Sequence, residues 1–146
     1  AFAVSPRGAC HLRATVYKAE LSGMIPLDQA EGKAAILLDF EDRHTLFDAL
    51  ILCRFFRDLY QWDRIAEVIK ATTGLELSKA DLQQMALRIS NLTREFNRRQ
   101  GLTRADDSLP PRFFEPLEDS GKVLLKKDFD RMLNDYYALK GWAETH

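Results

Sequence analysis

The chain has 146 residues, of which 46% are hydrophobic, and this is enough to build one domain with a buried core. Its 21 Lys and Arg residues are balanced by 22 Asp and Glu residues, so no overall charge favours nucleic acid or an anionic membrane as a partner. No apolar run approaches the roughly 20 residues that a membrane-spanning helix needs, and we expect a cytoplasmic protein.

The first half of the chain predicts a loop, a short helix and then a long buried helix. Residues 1–24 contain Ser5, Pro6 and Gly8 near their start, which indicates a loop before any helix. From residue 33 to residue 60, apolar residues recur at helical steps of three and four. They cover nearly every side between Leu46 and Phe56, so we expect this stretch to be buried in the centre of the domain.

Two further helices are predicted from their end signals. Asp63 can cap a helix over residues 64–72, and Gly74 stands at its C-terminal stop. Ser78 and Asp81 have the spacing of a capping box, and they open a helix that runs to about residue 99. The predicted buried stripe of this helix consists of Leu82, Met85, Ala86, Ile89, Leu92 and Phe96.

The last third of the chain predicts an irregular connection followed by one helix. Pro110, Pro111 and Pro116 remove backbone donors between residues 103 and 121, and residues 127–139 have helical spacing. The predicted fold class is therefore all-α. We expect a single domain over residues 1–146, built as an orthogonal array of about five helices with a long Pro-containing loop.

A cysteine and a carboxylate stand in the most apolar part of the sequence. Cys53 is interpreted either as a buried thiol that acts as a small hydrophobe or as a ligand of a metal or cluster. Asp48 lies five residues earlier, where a carboxylate is costly to bury without hydrogen bonds or an opposite charge. Arg54, Arg57 or a bound polar cofactor could satisfy it.

A second candidate site is the loop of residues 5–13. Its basic residues, Arg7 and Arg13, flank Gly8 and His11, and this combination could hold a phosphate or supply an acid/base group. Cys10 and His11 alone cannot form a closed zinc site. The sequence contains no nucleotide-binding, zinc-finger or Ser-His-Asp spacing.

A basic stretch at residues 94–104 could contact nucleic acid. Its acidic neighbours Glu95, Asp106 and Asp107, together with the balanced net charge, favour a solvated helix end instead. We therefore expect no nucleic-acid partner and no membrane partner.

Several separated blocks share their order and spacing with one known family. They are PRGACHLRA at 6–14, YKAEL at 17–21, EGKA at 31–34 and DALILCRF at 48–55, followed by shorter blocks at 91–97, 101–104 and 109–113. These blocks resemble the C-terminal region of the aldehyde:ferredoxin oxidoreductases. In that family two pterins hold a tungsten ion beside a [4Fe-4S] cluster, and aldehydes are oxidised to carboxylic acids with electrons passed to ferredoxin.

The resemblance implies roles for five residues in a whole enzyme. Cys53 matches a distant cysteine ligand of the iron–sulfur cluster, Asp48 matches an acid that hydrogen-bonds one pterin, and Leu52 matches a backbone contact to the same pterin. Arg13 falls where a basic residue contacts a pterin. His11 matches a histidine near the metal, in a position suited to proton transfer or substrate orientation.

The resemblance also implies partners and a limit. The implied partners are the N-terminal domain of the same enzyme, ferredoxin and a small aldehyde substrate. The chain begins at Ala1 with its first methionine at Met24, which indicates a fragment, and it lacks the upstream three-cysteine motif. We expect the fragment alone to bind neither the cluster nor the tungsten–bispterin cofactor, to be inactive, and to expose apolar groups that favour a homodimer. The alternative is a non-enzymatic helical module that binds a partner helix in a groove.

Overall fold

The computed structural model describes residues 1–142 and contains five α-helices within them. They are α1 (Val16–Leu21), α2 (Lys33–Ala49), α3 (Trp62–Thr73), α4 (Lys79–Arg99) and α5 (Lys126–Lys140), with 3₁₀ turns at Arg54–Phe56, Arg104–Asp106 and Pro111–Phe114. The described residues form no strand, and their one ladder contact is an isolated bridge between Pro6 and Gly8. The predicted all-α fold class is confirmed, while the assignment of residues 1–146 to one domain stays a prediction. None of the helices in residues 1–142 is long and apolar enough to cross a membrane.

The ends of α3 and α4 follow the local chemistry of the sequence. α3 begins at Trp62, one residue before the predicted cap Asp63, and it ends at Gly74 in the left-handed conformation, with φ of +78°. At the start of α4 the backbone N–H of Asp81 donates to the Ser78 hydroxyl at 3.2 Å, and the backbone N–H of Ser78 donates to the Asp81 carboxylate at 2.8 Å. The capping box is confirmed, and it satisfies two donors that would otherwise lack partners.

The predicted helix over residues 33–60 is too long, because the chain leaves the helical path at Ile51. This residue has φ of +58°, a left-handed conformation that is strained for a β-branched side chain. The turn is closed by the backbone N–H of Leu52, which donates to the carbonyl of Phe47 at 2.8 Å. Ile51 and Phe55 are 93% and 90% exposed, so the prediction of a buried stretch is wrong from this turn onward.

Two apolar clusters pack against opposite ends of α2. The first joins α2 to α3 and α4, and its buried members are Leu46, Phe47, Trp62, Ile65, Ile69, Leu82 and Ala86. The second joins α2 to α5 and to the segment after it, through Ala34, Tyr136, Tyr137 and Trp142. Because α2 also contacts α1, it is the central element of the fold, and it carries Asp48 near its C-terminal end.

The second half of α4 buries a charged residue where an apolar stripe was predicted. The prediction is wrong for three positions, because Met85 in the first half of α4 is exposed, as are Leu92 and Phe96 in the second half. Arg94 is buried between them, and its guanidinium donates to the Asp107 carboxylate at 3.1 Å and to the Tyr137 hydroxyl at 2.5 Å. A buried charge is tolerated here because an opposite charge and a hydroxyl compensate it.

Candidate functional site

The candidate site lies where the loop of residues 6–13, here called the His11 loop, meets the C-terminal end of α2. Arg13 forms an ion pair with Asp48. Arg54 binds the same carboxylate, with its Nη2 atom 2.7 Å from each oxygen. The Asp48 side chain is 38% exposed, so it is not buried as its apolar neighbours suggested. Its predicted need for a positive partner is nevertheless met, by Arg54 as anticipated and by Arg13 as well.

A closed set of contacts joins the two segments. Arg54 also donates through Nη1 to the backbone carbonyl of Leu12. Leu12, Arg13, Asp48 and Arg54 thus form a loop–helix ring with two positive charges and one negative charge. Burial, followed by repulsion from neighbouring arginine side chains, lowers the pKa of Arg13 and of Arg54. The excess positive charge makes the ring a suitable neighbour for an anionic group.

The thiol of Cys10 adds a second polar contact to the His11 loop. The Arg7 guanidinium donates to the Cys10 sulfur at 3.2 Å. Burial raises the pKa of this thiol, but hydrogen bonds from Arg7 and from the backbone of Leu12 and Arg13 outweigh it, so the net pKa lies below the ordinary value. Cys10 therefore has more thiolate character than an unperturbed cysteine.

His11 lines an apolar cavity of about 380 Å³. Its ring contacts Phe2 and Tyr17, with centroid distances of 6.0 and 5.7 Å. The polar lining includes an ion pair between Glu20 and Lys33, whose Oε1 and Nζ atoms are 2.6 Å apart. The apolar walls include Val4, Leu37, Phe113, Phe129, Leu133 and Met132. A histidine beside such a cavity can exchange a proton with the polar group of a small molecule whose hydrocarbon part is bound there.

Cys53 lies directly after the turn at Ile51, as a free and exposed thiol. Its interpretation as a buried small hydrophobe is therefore wrong. The preceding Leu52 is half-buried against the first apolar cluster, which anchors the turn. Among residues 1–142 no three His, Cys, Asp or Glu side chains are grouped so that they could hold a metal ion. An accessible thiol suits iron–sulfur ligation, but a four-iron cluster at Cys53 would need three further ligands.

The five residues singled out from the sequence therefore fall around the loop–helix ring. Arg13 and Asp48 are in direct contact, whereas His11 and Cys53 each precede a ring member in the chain. Leu52 lies two residues before Arg54 in the chain and anchors the turn by packing against the first apolar cluster.

Sequence reasoning missed His44, which lies one helical turn before Asp48. Its Nδ1 atom is 3.2 Å from the backbone carbonyl oxygen of Arg13. Burial, followed by the positive charge of Arg54, lowers the pKa of His44 to about 4. The ring is neutral at pH 7, and Nδ1 must carry the hydrogen because a carbonyl only accepts. The spacing of His44 and Asp48, four residues apart on one helix face, is the signal that could have revealed it.

Comparison with known proteins places the whole chain in one group. Residues 1–146 match the family model described as aldehyde ferredoxin oxidoreductase, domains 2 & 3. The chain is 34% identical to the tungsten-containing aldehyde ferredoxin oxidoreductase of Thermococcus kodakarensis and 32% identical to that of Pyrococcus furiosus, in both cases over 98% of this chain and 25% of the relative. The protein of the same name from Pyrococcus horikoshii is 32% identical over 98% of this chain and 24% of its own length. The chain thus spans about a quarter of the length of these curated relatives.

Proposed function

This chain belongs to the aldehyde ferredoxin oxidoreductase family, and we propose that it is the C-terminal part of an enzyme that oxidises aldehydes to carboxylic acids and passes the electrons to ferredoxin. The observation that carries the proposal is the family match over residues 1–146. The loop–helix ring supports it, because residues assigned by resemblance to one cofactor site, Arg13 and Asp48, are in contact although they are 35 positions apart.

In the whole enzyme we assign Cys53 to the [4Fe-4S] cluster as one of four thiolate ligands. Its exposure and its position after an anchored turn support the assignment. Arg54 adds a positive charge next to this ligand in the chain. Charges and hydrogen bonds around a cluster adjust its reduction potential, so we assign Arg54 an electrostatic role there.

We assign the binding of one pterin to Arg13, Asp48 and Leu52. The Asp48 side chain is 38% exposed, and its oxygens accept four hydrogen bonds from Arg13 and Arg54, so a pterin N–H would replace one of these contacts. Arg13 supplies a positive charge for the anionic cofactor. The backbone N–H of Leu52 is engaged by Phe47, and the carbonyl of Leu52 is therefore the group available to accept from the pterin.

We assign His11 to proton transfer. Conversion of an aldehyde and water into a carboxylic acid releases two protons and two electrons. When bound, the tungsten cofactor supplies the two-electron redox chemistry, and ferredoxin is the final acceptor. His11 lines the 380 Å³ cavity, where it can accept a proton from the reacting water or orient the aldehyde. The apolar walls would hold the hydrocarbon part of the aldehyde.

The exposed apolar side chains beside Cys53 support a partner for this face. Ile51, Phe55 and Leu59 are 93%, 90% and 67% exposed, and we propose that the N-terminal domain of the same enzyme covers them. The chain alone, with one cysteine for the cluster, would bind neither cofactor and would be inactive, and its uncovered apolar groups could pair two copies. We place the whole enzyme in the cytoplasm.

The test uses the full-length parent enzyme, purified without oxygen, as wild type, Cys53→Ser and Cys10→Ser. Tungsten, iron and aldehyde-dependent dye reduction are measured on each. We expect about four irons per chain in the wild type, loss of iron and activity in Cys53→Ser, and retention of iron in the matched Cys10→Ser variant. Full iron in Cys53→Ser would refute the ligand assignment. A wild type without metal or activity would overturn the proposed enzymatic function, and a helical interaction module would become the better hypothesis.

A further inference from the structure

We infer that His44 and Asn97 are positioning residues, which hold the His11 loop at its two ends by hydrogen bonds to backbone carbonyls. The effect that we expect on kcat rests on the proposed role of His11. The hydrogen bonds themselves are independent of that role, and they can be tested separately.

The end of the loop is held by α2. His44 is 3% exposed, and its Nδ1–H donates to the carbonyl of Arg13 at 3.2 Å. Its ring packs edge-on against Phe47, with a centroid distance of 5.8 Å, so the donor cannot swing away freely. One helical turn later Asp48 binds the Arg13 guanidinium. α2 therefore holds the same residue by its backbone and by its side chain.

The start of the loop is held by α4. The Asn97 amide donates through Nδ2 to the carbonyl of Pro6 at 2.7 Å. These residues are 91 positions apart, so the contact ties the loop to a helix that is remote in sequence. Arg54 also donates to the carbonyl of Leu12. Side chains from three different elements thus donate hydrogen bonds to three carbonyls of the loop.

The position of the His11 ring depends on these backbone contacts. Residues 6–13 form no helix or strand, and His11 is held through ring contacts with Phe2 and Tyr17. Ring contacts at about 6 Å set the orientation of a side chain less strictly than hydrogen bonds do. A loop released at Pro6 or Arg13 would therefore move His11 within the cavity, and a displacement of about 1 Å can lower a catalytic rate about 100-fold.

The experiment compares four variants of the full-length enzyme with the wild type. His44→Leu removes the donor, whereas His44→Asn keeps an amide N–H close to the position of Nδ1. Asn97→Ala removes the second donor, and Gln84→Ala changes an exposed residue of α4 as a matched control. Measurements are backbone hydrogen exchange of residues 7–13 and, with an aldehyde and a redox dye, kcat per bound tungsten and KM.

We expect faster exchange in residues 7–13 for His44→Leu and Asn97→Ala, with kcat per tungsten lowered about 10- to 100-fold and KM changed much less. His44→Asn and Gln84→Ala should stay close to the wild type. The inference is overturned if Asn97→Ala leaves both exchange and kcat unchanged, or if His44→Asn is no better than His44→Leu. If the wild type has no tungsten and no activity, the proposed function fails. Hydrogen exchange then still decides whether His44 and Asn97 hold the loop, and Asn97→Ala decides it if His44→Leu does not fold.

Discussion

Replacing Asp107 with asparagine should destabilise the chain by about 3–5 kcal/mol, because it leaves a buried arginine without its opposite charge. The Arg94 and Asp107 side chains are 6% and 5% exposed, and their Nη2 and Oδ2 atoms are 2.9 Å apart. The Tyr137 hydroxyl donates to the same carboxylate, so the substitution also weakens this second hydrogen bond. Since a domain of this size is stable by about 5–15 kcal/mol, the loss is a large share of the total.

Urea unfolding of the chain, followed by tryptophan fluorescence, measures this loss as a shift of the midpoint at constant slope. Tyr137→Phe removes only the hydroxyl and should cost about 1.5–3 kcal/mol, as expected for hydrogen bonds to charged groups. Arg99→Gln breaks an ion pair whose arginine is 75% exposed, and it should cost less than about 1 kcal/mol. The reasoning is refuted if Asp107→Asn costs no more than Arg99→Gln.

Three further predictions follow from local features. The pKa of His44 is lowered to about 4 and that of Asp42 is raised to about 6, mainly by burial. As the pH falls from about 6 to 4, His44 is protonated first in the unfolded chain, so it lowers the stability of the fold. Asp42 is protonated first in the folded chain, so it raises the stability over the same range. Asp42→Asn should then steepen the loss of thermal stability over this range, and an unchanged slope would contradict the assignment. Ile51→Gly should raise the free energy of unfolding by about 0.5–1 kcal/mol, since it relieves a left-handed conformation at an exposed position, and a decrease would show that the side chain is packed. Phe55→Ser should change the free energy of unfolding of the chain by less than about 0.5 kcal/mol but weaken its binding to a separately expressed N-terminal part. Binding equal to that of the wild type would exclude this face as the contact surface.

The helix ends that could be predicted are those specified by neighbouring residues. Ser78 and Asp81 lie three positions apart and satisfy each other's backbone donors, and Gly74 provides a left-handed stop without strain. Both devices require only local sequence. The end of α2 has no such signal, because the left-handed position is occupied by Ile51, a residue that local preference places in a continuing helix or strand. Tertiary packing of Leu52 against the core overrides that preference.

The candidate site could be predicted in part for a related reason. A carboxylate near apolar residues requires a partner, so the contact between Asp48 and Arg54, which are six positions apart, could be predicted. Arg13 is 35 positions from Asp48, and only the family resemblance indicated it. The assigned roles of Cys53 and His11 stay predictions, because they concern contacts with a cluster, a cofactor and a substrate rather than contacts among the described residues. The exposure of Cys53 depends on the turn that the apolar pattern did not reveal.

The polar residues of α2 explain why His44 and its neighbours could not be recognised from periodicity. The helix buries Phe47 against α3 and α4, yet it also buries Glu41, Asp42 and His44 on other sides. The carboxylate of Glu41 accepts from the Tyr136 hydroxyl at 3.0 Å, so α5 compensates part of the cost of its burial. A helix enclosed on several sides by different partners loses the contrast between an apolar and a polar face on which the periodicity argument depends. Each buried polar residue then has to be explained by its own partner, and for His44 that partner is the backbone of the loop that carries His11.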